Sequence, residues 1–161
     1  MSLDDDTLLN AIQKKIPSYG AYREQEARRQ DDRLTREFLV RRISDAKAAL
    51  DKAGSQVAAA GDLDAPLLIE RLRQRLDHAQ SRLAAAVEGY AGWFSERQVD
   101  AQLLKQVATL DANLVSLVDQ IDTLAQQQVG SENSATGELR EALELLHARL
   151  DRRHELLRAG S

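Results

Sequence analysis

An all-α antiparallel helical bundle is the fold this sequence predicts, and three observations predict it. Ala, Leu, Glu, Lys and Arg supply 82 of the 161 residues, the composition of long helices and coiled coils. Apolar residues recur at alternating steps of three and four along several stretches, which is a heptad seam. Eight Gly, two Pro and five Ile are too few turn formers and β-branched residues for a sandwich or barrel. A chain of this length makes one domain with room for a core. The expected arrangement is three long helices with a further helix packed on at each terminus.

The first helix is expected over residues 4–16. Asp4, Asp5 and Asp6 suit the positive end of a helix dipole, and Leu8, Leu9, Ile12 and Ile16 share a face. Pro17 closes it, because the residue before a proline is pushed out of helical space. The second helix is expected over 19–60. Its seam runs through Leu34, Phe38, Ile43, Ala46, Leu50, Ala53 and Val57. Gly61 ends it, Asp62 and Asp64 offer caps for the next helix, and Pro66 fits that helix's first turn.

The third helix, over 65–87, carries Leu72, Leu76, Ala79, Leu83 and Ala86. Ser95 and Gln98 read as a capping box that opens a fourth helix over 96–128. Its seam is Leu103, Val107, Leu110, Leu114, Leu117, Ile121 and Leu124, with no charge in it. Residues 129–137 are polar and rich in Gly and Ser, a flexible linker. A fifth, amphipathic helix over 138–158 aligns Leu139, Leu143, Leu146, Leu150 and Leu157. Arg153 falls where that stripe expects an apolar group, so this helix is expected to fray or pair loosely. Heptad seams also pair readily between copies, which leaves monomer and homodimer open.

Several functions are narrowed by composition. The net charge of −4 is not that of a dedicated nucleic-acid binder. The absence of cysteine removes disulfides, Cys-ligated zinc, iron–sulfur clusters and thiol nucleophiles. No run approaches 18 apolar residues, and the acidic start is unlike a secretory signal. The cytoplasm is the expected location. No Gly-x-Ser-x-Gly elbow or phosphate loop is found.

Four features could carry chemistry. Residues 19–42 hold seven basic and five acidic side chains, including Arg23, Arg28, Arg29, Arg33 and Arg36. Such interleaving favours i,i+4 pairs on a solvated face over phosphate binding. The loop with Tyr90, Trp93 and Phe94 offers interface anchors or a cap for the bundle end, where antiparallel counting places Phe38 beside it. Glu144-x-x-His147 and Asp151-x-x-His154 space a carboxylate and an imidazole one turn apart. A di-iron bundle spreads such pairs over different helices, and here both lie on one, so no metal or other cofactor is expected. The first helix, with Lys14 and Lys15, could rest on a membrane surface, but its aspartates favour docking on its own bundle.

The segment Ile16-Pro17-Ser18-Tyr19-Gly20-Ala21-Tyr22-Arg23-Glu24-Gln25-Glu26-Ala27-Arg28-Arg29, continuing through Gln30-Asp31-Asp32-Arg33-Leu34-Thr35-Arg36, resembles the N-terminus of a family of uncharacterised bacterial helical proteins. Their pattern reads roughly Ile-Pro-Gly-Tyr-x-Gly-Tyr-x-x-Lys-Glu-x-Arg-Arg-x-x-Asp. Gly89-Tyr90-Ala91-Gly92 is similar to a second short signature of that group. This chain departs from the pattern at Ser18, Ala21 and Gln25. The resemblance implies no activity, and at most an association with the cell envelope.

The expected role is a non-enzymatic protein-interaction or scaffold module, with no catalytic residues. The expected partner-binding residues are Tyr19, Tyr22, Arg23, Glu26, Arg29, Tyr90, Trp93 and Phe94. If these residues are buried, they form instead a structural knot that sets where helices turn. The alternatives are a peripheral membrane protein linked to envelope stress and a nucleic-acid binder using the Arg-rich helix.

Overall fold

A computed structural model describes residues 5–85, 99–127 and 134–159. Every regular element among them is helical: α1 (Asp5–Gln13), a 3-10 turn (Gln25–Ala27), α2 (Arg28–Ala59), α3 (Ala65–Ala85), α4 (Ala101–Gln126) and α5 (Ser134–Ala159). The protein is an all-α helical bundle.

Polar pairs between helices fix the topology. Arg73 of α3 meets Asp51 of α2 at 2.7 Å, and Arg36 near the other end of α2 reaches the Leu83 carbonyl at 3.4 Å, so α2 and α3 are antiparallel. Arg153 of α5 meets Asp111 of α4, and Arg149 donates to the Asn113 carbonyl at 3.0 Å, so α4 and α5 are antiparallel too. Arg42 of α2 donates to Asp119 at 2.8 Å and also pairs with Asp122 of α4. The ring order is α3, α2, α4, α5, with α1 laid on α4 from outside.

The α2–α3 turn follows from its sequence. Gly61 takes a φ of +86°, its N–H donates to the Ala58 carbonyl, and the Asp62 N–H donates to the Val57 carbonyl. That is a Schellman ending, and it needs a residue at ease in the left-handed region. The Asp62 carboxylate then accepts from the N–H groups of Asp64 and Ala65, both at 3.0 Å, and caps α3.

Heptad positions supply the core. Ile43, Ala46 and Leu50 of α2 and Leu72, Leu76, Ala79 and Leu83 of α3 are buried. Removing a leucine side chain from water contributes about 1.5–3 kcal/mol, which outweighs any single surface pair. The expected α4 seam is buried at Val107, Leu114, Leu117, Ile121 and Leu124, while Leu103 and Leu110 are only half-buried and Asp111 takes an inward position beside them.

Four expectations about element limits change. The first helix ends at Gln13 rather than at residue 16, and a turn in which the Lys15 N–H donates to the Ile12 carbonyl follows it. The second helix starts at Arg28 rather than Tyr19, because Ala21 and Tyr22 adopt φ of 55° and 60°, outside helical space. The fifth helix starts at Ser134, inside the expected 129–137 linker, and its leucine stripe is buried. It is a full wall of the bundle, and Arg153, expected to loosen it, lies in the interior at 3% exposure. The fourth helix opens at Ala101, where the Asp100 carboxylate accepts from the Gln102 N–H at 2.9 Å. The Ser95–Gln98 capping box and the loop with Tyr90, Trp93 and Phe94 lie outside the described residues.

Candidate functional site

The described polar chemistry concentrates in two places. The first is interior. Arg153 donates through Nε to Asp111 Oδ1 at 2.9 Å, and through Nη2 to Asp32 Oδ1 at 2.8 Å and the Tyr22 hydroxyl at 2.9 Å. Asp111 Oδ2 accepts from the hydroxyls of Tyr22 and, at 3.1 Å, Tyr19. Asp32 Oδ2 accepts from Arg36 Nε at 2.8 Å. Two carboxylates and two guanidiniums therefore balance, and the knot joins α2, α4, α5 and the α1–α2 connection.

The connection that carries the tyrosines is shaped by a third carboxylate. Asp31 Oδ1 accepts from the Gly20 N–H and Oδ2 from the Tyr22 N–H, each at 3.0 Å. A Cβ at residue 20 would lie 3.2 Å from Asp31 Oδ2, so glycine allows this close approach. Arg28 Nε donates to the Tyr22 carbonyl at 3.0 Å. These bonds hold two successive non-glycine residues in the left-handed region, a conformation costing about 1–2 kcal/mol per residue. The Tyr19 and Tyr22 rings meet edge to face at 5.7 Å.

Burial sets the protonation states. It holds both phenols well above the usual tyrosine range, and the Asp111 charge adds to it. The phenols are therefore neutral donors. Burial also raises the Asp31 carboxyl, against the two backbone N–H groups that favour its charge. The Arg153 guanidinium is held charged by Asp111, Tyr22 and Asp32, against its desolvation.

The second place is the seam between α3 and α5, where the helices meet more sparsely than elsewhere in the ring. An open groove of about 590 Å³ lies there, and Arg71, Arg75, His78 and Arg140 line it. The ring of His147 on α5 lies 5.2 Å from that of His78. Arg82 donates to His147 Nδ1 at 3.3 Å, and Nε2 lies 3.2 Å from the Arg75 carbonyl, the partners of a neutral Nε2–H tautomer. Burial holds this imidazole below the usual histidine range. Leu63, just before α3, and Leu67, in its first turn, are 85% and 64% exposed.

Of the expected docking residues, Tyr19 and Tyr22 are corrected: they are buried at 1% and 0%, with hydroxyls turned to Asp111, and present no surface. Arg23, Glu26 and Arg29 are exposed. Tyr90, Trp93 and Phe94 lie outside the described residues. The Arg-rich stretch divides. Arg28 is buried, Arg33 and Arg36 pair along the helix with Glu37 and Asp32, and Arg42 pairs with Asp45, Asp119 and Asp122. The apolar face of α1 turns inward, with Leu8 and Ile12 buried. Among the described residues no cluster of three or more His, Asp or Glu is placed to hold a metal ion, and no helix is long and apolar enough to cross a membrane.

Arg153 stood out in the apolar stripe of its helix, but its partner Asp111 was missed, because it lies outside the seam that apolarity selects on α4. No family model, no curated protein and no solved structure matches this chain.

Proposed function

We propose that the protein is a non-enzymatic interaction module whose α3 face docks an acidic, amphipathic helix of a partner. One observation carries this reading. Leu68 and Leu72 line the α3–α5 groove together with Arg71, Arg75 and Arg140, and Leu67, one turn before Arg71 on the same helix, is 64% exposed. Apolar anchors beside fixed cations suit a helix with leucine-like side chains on one face and carboxylates flanking it. The interior knot supports a module of this kind, because it holds α5, one wall of the groove, in register with α2 and α4.

A pull-down from the native cell tests it, with the wild type beside Leu67→Asp/Arg71→Glu and a separate Arg29→Glu variant. All three must melt alike. The reading expects partners that bind the wild type and Arg29→Glu but are lost from the double variant. Partners lost only from Arg29→Glu would move the docking face to the connection bearing Arg23, Glu26 and Arg29. Partners retained by both variants would overturn a docking role for either face.

A further inference from the structure

A second concavity lies on the opposite flank, between α1 and the start of α4. It encloses about 170 Å³. Leu8, Leu9 and Ile12 of α1 form one wall, Leu104 and Ala108 of α4 another, and the Tyr19 ring reaches it from the connection. The Tyr19 hydroxyl is turned away to Asp111, so the ring offers the cavity its apolar part. An apolar cavity of about 150 Å³ stays dry and takes up a body the size of benzene. This one has the same scale.

Among the described residues that line it, the ionisable side chains apart from the Tyr19 phenol are Arg23 and Lys105, both cations. Both are exposed. Among the described residues Arg23 has no ion pair, whereas Arg33, Arg36 and Arg42 of the same Arg-rich stretch each face a carboxylate. An aliphatic pocket with cations at its edge matches a molecule with an apolar chain and an anionic head.

We infer that the α1–α4 cleft is a binding site for a single-chain aliphatic carboxylate of medium length, its chain against Leu8, Leu9, Ile12 and Leu104 and its head at Arg23 and Lys105. The site is separate from the α3–α5 groove, so it stands or falls independently of the partner-docking role. The cavity volume admits about five or six methylene-sized groups, taking roughly 30 Å³ for each by analogy with a water's share of liquid volume. About six carbons of an aliphatic chain would therefore fill it, and the rest of a ten-carbon chain would lie in the open mouth of the cleft beside the head.

Calorimetric titration of the full chain with decanoate, decanol and decyltrimethylammonium tests the inference, below the concentrations at which each aggregates. Decanoate is expected to bind saturably at one per chain and more tightly than the other two. Arg23→Glu, a change at an exposed side chain, should weaken decanoate at least about tenfold and leave decanol within about twofold. Ala108→Phe should fill the cavity and abolish binding of both. A Leu104→Phe variant repeats that test if Ala108→Phe does not fold. Non-saturable uptake, equal affinity for the cationic amphiphile, or decanoate affinity unchanged by Arg23→Glu would overturn the site. Binding to anionic vesicles with no binding of free decanoate would overturn it as well, in favour of a membrane surface.

Discussion

Arg153 of α5 donates through Nε to the Asp111 carboxylate of α4 at 2.9 Å, in an interior where neither side chain is more than 3% exposed. Asp32 takes the other arm of the guanidinium, and Arg36 neutralises Asp32 in turn. Buried ion pairs seldom add net stability over apolar packing, because desolvation offsets the Coulombic gain. What they add is discrimination. A helix shifted by one residue along its axis would leave a buried charge unpaired, at a cost of several kcal/mol. The knot is thus a register device, and it lets α5 pack firmly despite carrying an arginine in its leucine stripe.

The connection before α2 depends on Asp31. Asp31→Ala would remove the acceptor of two backbone N–H groups at once, and each buried donor left without a partner costs about 1–3 kcal/mol. The expected loss is about 2–4 kcal/mol in chemical denaturation. Asp31→Asn keeps one carbonyl oxygen and should fall between. In both variants the Gly20 and Tyr22 amides should exchange faster with solvent. Unchanged exchange at these amides would show that the left-handed pair is held by other contacts.

The fold class was legible from the heptads, and so was the α2–α3 turn, because Gly61 and Asp62 act through contacts within six residues. The start of α2 was not. Residues 19–27 have a charge pattern that suits a helix, and their bend depends on Asp31 reaching back to Gly20 and Tyr22. The inward position at Asp111 on α4 was missed for a related reason. Leu110 and Asp111 both fit a three-four spacing from Val107, and apolarity alone favours Leu110. Asp111 takes the inward position because Arg153 and two phenols meet it there, and those partners lie 42 or more residues away. The candidate docking face was mostly illegible. The groove exists only where α3 and α5, far apart in sequence, come together, which no local pattern encodes.

Alkaline titration should report the tyrosines of the knot. Their folded pKa values lie above those of the unfolded chain, so their contribution is complete below about pH 10 and is lost as the pH rises beyond it. In a Tyr90→Phe background the only phenols left are Tyr19 and Tyr22. Tyrosinate absorbance at alkaline pH should then appear together with loss of helical circular dichroism. Absorbance that rises while helicity persists would place these phenols in contact with solvent.

Acidification should loosen the α3–α5 seam. The folded pKa of His147 is depressed, so above the usual histidine range of about 6.5 it contributes no pH dependence. Below that range the unfolded chain binds the proton more readily than the fold does, and stability falls with pH. Arg75, Arg82 and His78 all face the imidazole, and they oppose its charging. The melting temperature of the wild type should drop between pH 7 and pH 5, and His147→Gln should flatten that slope. Equal slopes in the two proteins would assign the acid sensitivity elsewhere.

The register role of the knot is tested most directly by a double-mutant cycle between Asp111 and Arg153. Arg153→Met leaves two buried carboxylates short of a partner, and its expected cost is about 3–5 kcal/mol of unfolding free energy. Asp111→Asn should cost less, because the amide still accepts from the guanidinium. The double variant should lose at least about 2 kcal/mol less than the sum of the two, since each change removes the reason the other is costly. Two small costs that add within about 0.5 kcal/mol would show that the pair is uncoupled and that apolar packing alone sets the helix register.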